Sequence, residues 1–138
     1  MDVVVLIGRV LFVMLFLSSG FGHLAQANGM TGYAQARGVP LAKALVPVSG
    51  VLLIVAGLMI LLGVWADLGA LLLMAFLVPA ALLMHAFWKE TDAQSRQGEM
   101  IHFFKDLSLA GAALMLFAFF VYVDELGLTI TGPLITHG

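Results

Sequence analysis

Residues 44–88 read ALVPVSGVLLIVAGLMILLGVWADLGALLLMAFLVPAALLMHAFW, and Asp67 is the one charged residue among them. A helix crosses the hydrocarbon core of a bilayer with about 20 apolar residues. This stretch therefore predicts two crossings in succession, 44–66 and 68–88, joined by a tight turn around Ala66-Asp67. Lys43 and Lys89 stand at its two ends. Upstream, residues 3–24 form a further apolar run interrupted only by Arg9. Downstream, the polar connection 89–99 leads into a shorter run that starts near Phe104 and ends at Val123, giving a fourth span over 104–123.

The composition agrees with this reading. Of 138 residues, 62% are hydrophobic and 10% charged, and the mean hydropathy is +1.10. A soluble domain carries about 25% charged residues, so this chain cannot cover a core with polar surface, whereas lipid removes that need. A net charge of −2 without clustered Lys and Arg points away from nucleic acid. The absence of cysteine excludes thiol chemistry and thiolate-held metal within the chain. Ala25-Gln26-Ala27 resembles a signal-cleavage site. The leader, however, has Asp2 and no positive charge before Arg9, and its apolar run is long for a signal, so a retained span is expected.

Spanning segments must satisfy their own backbone hydrogen bonds, which requires helices. Short connections then give an all-α, antiparallel transmembrane four-helix bundle in one domain. Residues 25–43 are expected as a loop, and the uncharged tail 126–138 is expected against the bundle or a partner. Pro47 falls in the first turn of span two, where its missing N–H is harmless, and Pro79 should kink span three. Gly50 and Gly57 share one face of span two, and Ser108, Gly111 and Ala112 make a similar face on span four, which suits close helix packing in lipid.

The polar residues converge. His23 ends span one, His85 lies about a turn before the end of span three, and His102 precedes span four, so all three meet the face that carries loops one and three. Tyr33, Arg37, Trp88, Lys105 and Asp106 belong to that face too. Ionisable groups within spans are costly and by default suggest a functional site. Each also has a structural reading: Trp88 as an interfacial belt residue, the histidines as partners of loop carbonyls. Paired helical histidines suit haem iron, yet no metal-ligand spacing occurs, so neither haem nor another metal is expected. Near the opposite face Arg9 is expected to form a structural ion pair with Asp67 or with Asp124 and Glu125. The excess of Lys and Arg in loops one and three predicts that those loops are cytoplasmic and both termini outside.

These residues carry a family resemblance. Arg9, Phe16 and Ser19-Gly20 are followed by Tyr33 and Gly38-Val39-Pro40. Gly50, Gly57 and Gly63 come next, then His85-Ala86-Phe87-Trp88, and finally Phe104-Lys105-Asp106-Leu107. In order and spacing the chain resembles the DoxX/DoxD family of small four-helix membrane proteins over roughly residues 8–117. It departs from that pattern with His23 where many relatives have Lys, Leu53 where Glu is frequent, and Asp106 where Asn is frequent. The missing Glu removes the basis for a proton relay in span two. The resemblance implies a bacterial cytoplasmic-membrane protein tied to quinone-linked oxidoreductase systems. His23, Tyr33 and His85 would then contact a quinone headgroup, with Arg37 or Lys105 supplying positive charge and no cofactor intrinsic to the chain. The alternative is a non-catalytic anchor or accessory subunit, bound to other membrane subunits or to its own copies. A carrier for a small apolar molecule is a weaker third reading, since no internal repeat is present.

Overall fold

The computed structural model describes residues 1–123 and 125–136. Its helices are α1 (Asp2–Ala25), α2 (Ala27–Ala36), α3 (Ala42–Leu62), α4 (Ala66–Met84) and α5 (Ala93–Tyr122), with one 3₁₀ turn, Phe87–Lys89, between α4 and α5. Helices α1, α3, α4 and α5 are long and apolar enough to cross a membrane. They run up and down, with α3 between α1 and α4, and α4 between α3 and α5. All four contribute to one core: Val13 and Phe16, Leu53 and Ile60, Leu73 and Leu77, Ala113 and Phe120. Large apolar side chains such as Leu11, Phe21 and Met115 point outward, as a lipid-facing surface allows.

The connections and the placement of Pro47 differ from expectation. The segment after α1 is a helix, α2, despite its Gly and Asn. Docking overrides weak propensity here: Ala34 is buried with Ala42 and Val46, and Met30 and Met84 pack against them. The turn between α3 and α4 is Gly63–Trp65, with Asp67 already in the first turn of α4. Gly63 ends α3 in the left-handed region at φ 64°, and a Cβ there would collide with Thr129 of the tail. Because α3 begins at Ala42, Pro47 lies past its first turn and leaves the Lys43 carbonyl without its helical donor. Pro79 sits inside an unbroken α4.

The largest difference is α5. It starts at Ala93, about eleven positions before the apolar run, because Asp92 caps it: its carboxylate accepts from the Ser95 N–H at 2.9 Å and the Ser95 hydroxyl at 3.0 Å. Thirty residues span about 45 Å, some 15 Å more than the hydrocarbon core. The first turns of α5 therefore stand clear of the hydrocarbon as a helical extension carrying Glu99 and His102.

At the opposite end the tail folds back over the α3–α4 turn. The Ile130 N–H reaches the Leu62 and Gly63 carbonyls, and the Thr131 N–H reaches Gly63. Asp67, fully buried, accepts the backbone N–H groups of Leu134 (2.9 Å) and Ile135 (2.8 Å). Arg9 is 2% exposed and donates through Nη2 to the Leu128 carbonyl at 2.5 Å. Among the described residues no ion pair joins Arg9 to Asp67 or Glu125, so the expected pairing with those two is replaced: the tail carbonyl reaches the guanidinium, and Asp67 is taken by tail amides. Asp124 lies outside the described residues.

Candidate functional site

Two glycines bring the first wall of the site together. A Cβ on Gly20 would lie 2.7 Å from the Gly50 carbonyl, and one on Gly50 would lie 2.9 Å from the Gly20 carbonyl and from His23 Cβ. Helices α1 and α3 thus touch backbone to backbone, as small residues permit in lipid. One turn on, His23 Nδ1 meets Ser49 Oγ at 2.7 Å, while Ser49 Oγ donates to the Val46 carbonyl at 2.7 Å. The His23 ring stands edge-on to Phe76 of α4.

The second wall is ionic. His85 ends α4 as its C-cap, correcting its expected place a turn inside the span. Its Nδ1 lies 2.7 Å from Glu99 Oε2 and its Nε2 3.6 Å from Asp106 Oδ2, so it stands between two carboxylates of α5. Glu99 Oε1 accepts from Tyr33 OH (3.1 Å) and from Arg37 Nη2 (2.8 Å). Arg37 also donates to Tyr33 OH at 3.0 Å and to Glu90 at 2.5 Å, which ties α2 to the segment before α5. Burial pushes the Tyr33 phenol above its ordinary value, with Arg37 opposing. The Arg37 guanidinium loses solvation, yet hydrogen bonds to Tyr33 and Glu90 hold its pKa above the usual value, so it stays charged. His102 stacks on His85 at 5.1 Å between ring centroids, and Lys105 Nζ lies 3.4 Å from His102 Nδ1 and 3.6 Å from Asp106.

Between the two walls lies a cavity of about 520 Å³. Its polar lining includes His23, Ser49, Tyr33, His85, Lys105 and Asp106; Leu15, Phe16, Leu52, Leu53, Phe76 and Leu83 are among the apolar side chains that make up most of the rest. Of the residues expected at this face, His23, Tyr33, His85, Lys105 and Asp106 line the cavity, while Arg37 and His102 support it from outside. Trp88 does not line it: half exposed, it packs edge-on against Phe87 and Phe103. Glu99, Glu90 and Ser49 were not anticipated. Glu99, His102 and Asp106 are spaced i, i+3, i+7, one face of a helix, and that spacing was visible once the helix was known to begin at Ala93. Among the described residues no three His, Asp or Glu side chains gather as a metal site.

The DoxX family model matches residues 4–86. The inner membrane protein YphA of Escherichia coli (strain K12) is 30% identical over 115 residues, which cover 83% of this chain and 81% of that protein. The inner membrane protein YqjF of the same organism is 31% identical over 115 residues, covering 83% and 82% respectively. No solved structure matches the chain. Four spanning helices and relatives in the inner membrane make this an integral protein of a bacterial cytoplasmic membrane. From the match over residues 4–86 and the two relatives spanning most of its length, the chain belongs to the DoxX family.

Proposed function

We propose that this chain is the membrane subunit of a quinone-linked oxidoreductase and that the cavity between His23 and His85 receives the quinone. The carrying observation is the cavity's polarity. A volume of about 520 Å³ falls in the range of small-molecule sites, and its apolar lining surrounds a few convergent polar groups. Such a lining suits a lipid-soluble ring with a polar edge. A quinone, when bound, supplies two-electron, two-proton chemistry.

The chain's own residues bind, orient and handle protons. His23, His85 and Asp106 are exchangeable groups on the lining, and imidazole titrates in the range that proton exchange needs. Glu99 holds His85 through Nδ1, and Arg37 and Tyr33 hold Glu99 in turn. With no cysteine the chain offers no thiol-held redox centre of its own, and this reading assigns electron transfer to a partner subunit. Gentle extraction tests the reading. Isoprenoid quinone should copurify with the wild-type protein and fall severalfold in His85→Ala; protein that carries none, and binds none when it is added, ends it.

One observation favours the accessory reading. Ser108 and Gly111 are exposed on α5, and a Cβ on Gly111 would meet nothing within 4 Å. That small-residue face is unused within the chain and suits a helix of a larger complex. If Gly111→Leu releases the chain from such a complex while quinone retention is unchanged, both roles hold; a chain that runs alone in mild detergent removes the second.

A further inference from the structure

The placement of hydrogens at His23 bears on which form of a ligand the cavity would hold. Ser49 has one hydroxyl hydrogen and two short contacts, to the Val46 carbonyl and to His23 Nδ1, both 2.7 Å. A carbonyl cannot donate, so the hydroxyl hydrogen points to Val46. The contact to His23 is then a hydrogen bond only if Nδ1 carries the hydrogen. In the neutral ring that leaves Nε2 as an acceptor. At His85, Nδ1 faces the Glu99 carboxylate at 2.7 Å, an acceptor held in place by Arg37 and Tyr33, so Nδ1 carries the hydrogen there as well. Its Nε2 faces Asp106 Oδ2 at 3.6 Å, beyond a hydrogen bond, and with a carboxylate at either nitrogen this ring is no free acceptor, so the acceptors offered to a ligand are His23 Nε2 and Asp106.

The other polar groups on the lining reinforce this pattern. Asp106 adds a carboxylate, an acceptor when ionised. Tyr33 has already given its hydrogen to Glu99. Lys105 and Ser19 are the donor-capable side chains left on the lining, and the Lys105 ammonium is 44% exposed and turned toward Asp106 and His102.

We infer that the cavity is built to accept hydrogen bonds, and so selects the hydroxyl-bearing, reduced form of its ligand, a hydroquinone, over the carbonyl-bearing oxidised form. A hydroquinone presents donors to His23 and Asp106, whereas a quinone carbonyl would meet acceptors there and leave them unpaired. This rests on the quinone reading above and adds the state in which the ligand is captured.

The test has two arms. The first needs no ligand: ¹⁵N spectra of ring-labelled protein in lipid nanodiscs, near pH 8, where ordinary imidazoles are neutral. They should show the Nδ1–H form for His23. An Nε2–H form in the wild-type protein overturns the inference and leaves the quinone reading standing. The second arm titrates a decyl-substituted benzoquinone and its anaerobically reduced hydroquinone into the same nanodiscs. The hydroquinone should bind about tenfold tighter, the equivalent of one net hydrogen bond. Equal binding, or tighter binding of the oxidised probe, overturns the inference alone; failure of both probes to bind removes it together with the quinone reading.

Discussion

Asp67 and Glu99, at opposite ends of the bundle, show what single carboxylates do here. Asp67 holds the tail by two backbone N–H groups. A buried amide left unpaired costs about 1–3 kcal/mol, so Asp67→Ala should lower stability by about 2 kcal/mol or more. Amide exchange at Leu134 and Ile135 should rise with it, which hydrogen-exchange mass spectrometry would detect. Glu99 instead joins three groups, Tyr33, Arg37 and His85, two of which line the cavity. Its neighbours were legible in the sequence because imidazoles and cations at span ends stand out against apolar runs. Glu99 itself was not, because a polar stretch between spans reads as a loop until a cap such as Asp92 shows that the helix continues through it. Ser49 was hidden for the opposite reason: one hydroxyl in an apolar span reads as a packing residue. The partner of Arg9 could not be read at all, since no periodicity encodes the path of an irregular tail.

Elements set the spacing of the site. The approach of α1 to α3 at Gly20 and Gly50 brings His23 to Ser49. Gly50→Ala places a methyl 2.9 Å from the Gly20 carbonyl, and overpacking of this kind costs about 1–3 kcal/mol. The variant should melt earlier and lose affinity for the decyl hydroquinone, whereas Gly22→Ala, where a Cβ meets nothing within 4 Å, should do neither. The start of α5 should respond to pH. The Ser95 backbone N–H, followed by its hydroxyl, holds the Asp92 carboxyl below its ordinary 3.8. A depressed folded-state value gives stability that is present above the unfolded value and lost as pH falls through the folded one. Exchange protection at Ser95 and Arg96 should therefore be intact at about pH 5 and fray in stronger acid, and Asp92→Ala should remove that dependence. The four spans were legible because hydropathy and charge boundaries fix them. Helix α2 was not, because its order comes from packing against α3 and Met84 rather than from its own sequence.

For the whole molecule, the fold makes two ends of different character: an ionic one at α2 and the start of α5, and an opposite one closed by the tail. The sequence decided that the histidines and the basic loops share one end, and the observed network of Arg37, Glu99 and His85 lies there. The positive-inside rule predicts that this end faces the cytoplasm. Since the chain has no cysteine, a single introduced one reports topology cleanly. Cysteine at Gln94 should be shielded from an impermeant thiol reagent in intact cells, and cysteine at Gly132 should be labelled; the reverse pattern would turn the molecule over.

The central claim, that the cavity between His23 and His85 receives a quinone-type ring, is tested most directly by photolabelling. A photoreactive short-chain quinone would be irradiated with the protein in lipid nanodiscs and the labelled peptides sequenced. The account predicts label on cavity-lining segments, around Ser19, Leu52 and Phe76 to Leu83, that is displaced by unlabelled decylquinone or its hydroquinone. Label confined to outward-facing positions such as Leu11 and Met115, or unaffected by the competitor, would contradict it.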